Sequence, residues 1–215
     1  MTEARRLAEY HSPEGAQEYL EEYQKLHRKF SDRRERRLLE GFFAQMGTLQ
    51  SALDLPCGWG RYLPLLASRS ERVVQSDYSG SMLAMGRERF AKLPVWGRIR
   101  ASGTQLPIAD GGVELAFSIR LNHHLVTPEH RLQHLREMSR ISSRYLIFTY
   151  FDAASLKNRL RQRQVRRGRK KPKNTLARHQ VRETLEQAGF RILADPMLFR
   201  IGSGHRVVFA QRGVK

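Results

Sequence analysis

A single cysteine, Cys57, stands among 215 residues, so the chain can close no internal disulfide and build no cysteine-based metal cage. No apolar run approaches the roughly 20 residues of a membrane-crossing helix, and Met1 to Arg6 lead into polar sequence where a signal peptide would turn apolar. These absences point to a reducing, cytoplasmic setting without a metal site. Acid is also scarce. The 21 Asp and Glu face 39 Lys and Arg, a net charge of +18, which predicts attraction to anions. The surplus is local, because residues 157–173 hold ten cations and no carboxylate. More than half of the excess charge therefore sits in one short insertion. A chain of this length buries one substantial core, and no internal repeat is visible.

Helix signals open the chain. Ser12, Pro13 and Glu14 combine a capping hydroxyl, proline at a first helical position and a carboxylate near the positive end of the dipole. Tyr19, Tyr23, Leu26 and Phe30 follow at one-face spacing, and a second helix carrying Leu38, Leu39, Phe42, Phe43 and Met46 is expected after Ser31. Residues 1–48 thus read as a helical preface or lid, and 49–215 as the main domain. There strands are predicted near 51–55, 72–77, 96–101, 113–119, 144–151, 190–194 and 205–211. Helices are predicted near 60–68, 80–92, 128–139 and 176–188, with Thr127 capping the third and Gly189 closing the fourth. Such alternation implies an α/β fold with a mostly parallel sheet covered on both faces. The basic insertion has helical spacing at Leu156, Leu160 and Gln164, but its adjacent cations repel, which leaves helix and disorder both open.

The most informative stretch is Ala52-Leu53-Asp54-Leu55-Pro56-Cys57-Gly58-Trp59-Gly60-Arg61, followed by Asp77 at the end of the next apolar run. It reads as strand, glycine turn, helix start and a second strand ending in a carboxylate, the layout of a nucleoside-cofactor cleft. A dinucleotide site wants a third glycine where Leu63 stands, and Asp54 would repel a pyrophosphate but suit an ammonium group. Gly58 and Gly60 permit turn angles closed to other residues, and Asp77 can accept from both ribose hydroxyls or cap the following helix. His123 and His124 follow the fourth strand at its carboxyl end, where ligands of open α/β sheets gather, and either could take a proton from an acceptor. Arg61 and Arg120 could neutralise a carboxylate of cofactor or acceptor. Cys57 reads as a small packing residue.

The glycine turn resembles the first motif of class I S-adenosylmethionine-dependent methyltransferases, with Pro56 in place of the usual first glycine. Four further blocks follow in the family's order: 73–79, 106–114, 118–125, and 136–141 leading into 145–150. The resemblance spans about residues 50 to 211. It implies a Rossmann-like fold with seven strands, S-adenosylmethionine as cofactor, and a cofactor loop running from Asp54 through Pro56, Cys57, Gly58 and Gly60 to Arg61, with Asp77 opposite. It further implies Tyr78 and Met82 flanking the adenine and Ile119 within the fourth-strand block. Ser102 stands where many relatives carry an acid toward the adenine amino group, with the Gly103 backbone as its alternative. Tyr10, His11 and Tyr19 look like the lead segment that closes over the cofactor and meets the acceptor.

Two enzyme readings follow for the acceptor. One is an anionic small molecule or lipid-linked compound, gripped by Arg120 and by Lys157, Arg159 and Arg161 of the insertion, with peripheral membrane contact compatible with the same charges. The other is RNA, since the block around His123 and His124 also resembles tRNA wobble-uridine methyltransferases. Against RNA, no aromatic residue lies between Leu156 and Lys173 to stack on bases. A non-catalytic cofactor-binding module stands behind both.

Overall fold

The computed structural model describes residues 14–15, 26–199 and 202–213, and for 26–30 the backbone only. Helix α1 (Leu26–Phe43) leads into β1 (Leu49–Asp54), α2 (Leu63–Ala67), β2 (Ser70–Asp77), α3 (Gly80–Arg89), β3 (Gly97–Arg100) and β4 (Val113–Ser118). A short 3-10 turn (Asn122–His124), α4 (Pro128–Ile141), β5 (Ser142–Phe151), α5 (Leu156–Arg166), α6 (Arg178–Gln187), β6 (Phe190–Ala194) and β7 (His205–Arg212) complete the chain.

The seven strands form one sheet in the order β3-β2-β1-β4-β5-β7-β6. Neighbours from β3 to β5 are parallel, while β7 runs antiparallel to both β5 and β6. Period-two alternation divides each central strand between two cores. Leu53, Ala116, Leu146 and Phe148 join Leu135 and Met138 of α4 and Val181 and Leu185 of α6. Ala52, Leu115, Phe117 and Ile147 join Leu39, Phe42 and Phe43 of α1 and Leu63 and Leu66 of α2. Chain order reverses between β1 and β4, and a cleft opens at such a point beyond the carboxyl ends of the strands.

Strand positions agree with expectation, with ends moved by a residue or two. Thr127 caps α4 by accepting from the His130 amide at 3.1 Å, and Gly189 follows α6 at φ +80°. Three expectations are corrected. The preface does not break after Ser31, because α1 runs through it and an Asp32–Arg36 pair at 2.9 Å bridges one helical turn. The helix expected from residue 60 starts at Leu63, since Gly60 to Tyr62 stay in the turn, and the helix expected from residue 176 starts at Arg178, since Leu176 bridges to Asp152. For the basic insertion, helix prevails over residues 156–166: the Ser155 hydroxyl accepts from the Asn158 amide at 3.2 Å, and Arg163 and Arg166 sit in the last turn near the negative end of the dipole.

Candidate functional site

The glycine turn after β1 is built by local backbone chemistry. The Leu55–Pro56 peptide is cis, and Gly58 and Gly60 take φ of +51° and +84°. A Cβ at Gly60 would meet Phe90 Cδ2 at 2.9 Å, whereas one at Gly58 would meet nothing within 4 Å, so only Gly60 is hemmed in. Gly60→Ala is therefore expected to cost about 2 kcal/mol in urea unfolding, and a loss below half of that would contradict the crowding. The close helix contact that Leu63 denies comes from elsewhere. Gly86 of α3 lies so near that a Cβ there would sit 3.3 Å from the Trp59 carbonyl carbon and 3.5 Å from both Gly58 O and Gly60 N.

Two carboxylates face this turn. Asp77 Oδ2 accepts from the Gly58 amide at 2.8 Å and Oδ1 from the Ser79 amide at 2.9 Å, so it organises both the turn and the start of α3. The helix cap that competed for Asp77 belongs to Ser79, whose hydroxyl accepts from the Met82 amide at 3.2 Å. Asp54 is buried at the end of β1, and its Oδ2 has no hydrogen-bond partner among the described residues. Burial pushes its carboxyl up to about 8, with Arg61 pulling the other way and Asp77 adding to the rise. Burial likewise pushes the Cys57 thiol well up, so it is no thiolate nucleophile at neutral pH.

The cleft runs from Pro56, Cys57, Gly58 and Arg61 past Asp77, Tyr78 and Met82 to Gly103, Ile119, Arg120 and His124. Sequence candidates thus converge from four separate segments. Ser102 is not among them: its hydroxyl bonds Thr104 Oγ1 at 2.9 Å inside its own turn, leaving Gly103 at the cleft. His134 pins that turn through Gly103 O at 2.8 Å and Ser118 Oγ at 3.1 Å. Lys157, Arg159 and Arg161 do not line the cleft. Lys157 Nζ donates to Gly202 O at 2.7 Å and Arg161 Nε to Lys171 O at 3.0 Å. Tyr10, His11 and Tyr19 lie outside the described residues.

Arg61 and Arg120 are not lone cations. Both meet Glu35 of α1, Arg61 Nη2 at 2.6 Å and Arg120 Nε at 3.2 Å, and the Tyr62 hydroxyl donates to the same carboxylate. Arg61 also reaches Asp32 at 2.9 Å. Glu35 is fully buried. Burial alone would raise its pKa, but Arg120, Arg61, the Tyr62 hydrogen bond and His205 together hold it below the ordinary carboxylate range. Arg120 itself adopts φ +67°, a left-handed conformation unusual for a non-glycine residue, held by its amide bond to Thr149 Oγ1 at 2.7 Å.

His124 lines the cleft and His123 stands behind it, ring centroids 4.2 Å apart. His123 packs against Phe151 at 4.5 Å and His205 at 5.0 Å, and Lys173 of the insertion caps Phe151 at 4.2 Å. Burial, then the neighbouring His124 and His205, lower the His123 pKa well below its ordinary value, and its Nδ1 has no hydrogen-bond partner among the described residues. No cluster of three metal-ligating side chains occurs among the described residues.

Residues 52–144 match the family described as Methyltransferase domain. The magnesium protoporphyrin IX methyltransferase of Synechocystis, crystallised with S-adenosylhomocysteine, has a TM-score of 0.70 at 16% identity, covering 88% of each chain. An S-adenosylmethionine-dependent methyltransferase from Clostridium acetobutylicum reaches 0.71 at 13% identity, covering 92% of this chain and 99% of that one. The chain thus shares its fold with S-adenosylmethionine-dependent methyltransferases, and its residues 52–144 match the methyltransferase family. Among curated proteins, the probable tRNA methyltransferase 9B of Mus musculus is 30% identical over 88 residues, 41% of this chain. The chain spans about a fifth of that relative's length, the aligned part being 18%.

Proposed function

We propose that the protein transfers a methyl group from S-adenosylmethionine to an anionic small-molecule or lipid-linked acceptor. The observation that carries the cofactor half is a cleft lined by the glycine turn, Asp77, Met82 and Gly103, with Asp54 buried just behind that turn and its Oδ2 without a hydrogen-bond partner among the described residues. When bound, the cofactor supplies a methyl group on sulfonium that a nucleophile aligned opposite can displace. Asp54 would meet its ammonium, and Asp77, positioned by the Gly58 and Ser79 amides, would accept from the ribose hydroxyls. Met82, Tyr78 and the Gly103 turn would enclose the adenine. His124, which lines the cleft, would receive the acceptor's proton. His123, neutral at pH 7 because of its burial, orients the neighbouring ring. Alignment lowers much of the barrier for a good nucleophile.

The acceptor half rests on charge. The insertion carries ten cations, and its last one, Lys173, stacks on Phe151 while the next residue, Asn174, donates to His123 O at 3.1 Å, behind the cleft. The likeness to a tRNA methyltransferase favours RNA as a second reading. Label transfer from radiolabelled cofactor into RNA, lipid and soluble fractions of cell extract separates the two. Counts in lipid or anionic metabolites are expected, and counts in RNA alone would replace the first reading by the second. Glutamine at all ten insertion cations should leave cofactor affinity within about twofold and raise the acceptor KM about tenfold. Unchanged acceptor kinetics would remove the insertion from substrate binding.

A further inference from the structure

Helix α5 carries a feature that the acceptor reading does not use. Its inner side is formed by the buried Asn158, whose amide donates to Asp152 O at 2.7 Å, and by the part-buried Arg161 and Val165. On the opposite side Leu156 and Leu160, one turn apart, are 60% and 47% exposed. At 100° per residue they occupy the centre of the outer face, with Arg159 and Arg163 on one flank, Lys157 on the other and Arg167 just beyond the end. Single exposed leucines are ordinary. A leucine pair framed by cations, on a segment where no acid occurs from residue 153 to 182, is a surface with two affinities at once.

We propose that this face docks the protein on an anionic lipid bilayer, with Leu156 and Leu160 entering the headgroup boundary and the flanking Lys and Arg meeting lipid phosphates and carboxylates. Charge alone would suit RNA equally. The leucines decide between them, because hydrocarbon next to a phosphate backbone gains nothing, whereas an interfacial helix gains from both its apolar centre and its basic flanks. The segment after the helix runs along its inner side and reaches the His123 end of the fold, through Asn174 on His123 O and Lys173 on the Phe151 ring, so the outer face stays clear of the cleft. Docking itself stands apart from methyl transfer and can be tested without it.

The full chain is sedimented with phosphatidylcholine vesicles with and without phosphatidylserine. Binding is expected only with phosphatidylserine, and it should weaken about fivefold for each of Arg159→Gln and Arg163→Gln. Leu156→Ser with Leu160→Ser should weaken it a further tenfold or so with the charges intact, while leaving cofactor affinity unchanged by calorimetry. Cys57 is buried, so an environment-sensitive fluorophore attached through L160C reports insertion at one site, and its emission should shift blue on anionic vesicles. Vesicle binding that ignores the leucine variants, a label that stays in water on bound protein, or transfer RNA competing the protein off vesicles at physiological salt would each overturn the proposal. A parent chain that docks on anionic vesicles yet binds no S-adenosylmethionine by calorimetry would refute the cleft assignment and leave docking standing.

Discussion

Asparagine in place of Asp54 is expected to weaken S-adenosylmethionine binding about 100-fold and, at the same time, to make the protein more stable at alkaline pH. The affinity loss follows if the cofactor's ammonium reaches this buried carboxylate oxygen behind the glycine turn, which has no hydrogen-bond partner among the described residues, since a desolvated charge pair is worth a few kcal/mol when one member is withdrawn. The stability gain has its own sign. Unfolded, Asp54 ionises near the ordinary value of about 3.9, while in the fold it keeps its proton up to about 8. Between those values the folded state binds more protons than the unfolded state. This group's contribution to stability therefore falls as pH rises, by about 1.4 kcal/mol per pH unit, and levels off above pH 8. The D54N variant has no such slope. Denaturant melts across that range should show the gap between variant and parent widening, and parallel curves would sink the idea. Binding an ammonium also needs the carboxylate ionised, so calorimetry in buffers of different ionisation enthalpy should register proton release by the parent and none by D54N.

Removing Glu35 should be the most damaging single change to the fold at this end of the sheet. Glu35→Ala is expected to cost about 3 to 5 kcal/mol, because Arg61 and Arg120 would keep their burial and lose the carboxylate they share. Glu35→Leu combined with Arg61→Met should recover part of that loss, as apolar replacement of a buried ion pair often does. The parent's dependence on pH runs opposite to that of Asp54. A carboxyl held below its unfolded value contributes stability that is present above the unfolded pKa and is lost as pH falls through the folded one. An acid-side melt should thus be flatter for E35A than for the parent. A cost under about 1 kcal/mol would mean that water replaces the carboxylate easily.

The parts of this cleft that could be read from sequence are those made by neighbours along the chain. Gly58 and Gly60 are visible because a strand-to-helix turn demands left-handed backbone, and Asp77 because an apolar strand rarely ends in acid without reason. Thr127 before Pro128 announces a helix by the same local chemistry. Glu35 is 85 positions from Arg120 and looks, on a helix dense with Arg and Glu, like any solvated charge. Gly86 sits mid-helix, where glycine has no local purpose, and only the fold shows the turn it lies against. His205 meets His123 across the sheet at 5.0 Å, a pairing that depends on β7 inserting beside β5. The break expected after Ser31 failed for the converse reason. Serine is a common cap, but here the helix continues because its later turns bury Leu39, Phe42 and Phe43 under the sheet.

The placement of β7 between β5 and β6 has a consequence for biosynthesis. Because β6 is translated before the strand that must separate it from β5, neither it nor the open edge of β5 can find its final neighbour while the ribosome is still producing residues 195–204. During that interval the nascent chain exposes an unsatisfied row of amides and carbonyls along Tyr145 to Phe151. A stall there would leave a half-made sheet with an adhesive edge, the kind of intermediate on which chaperones act.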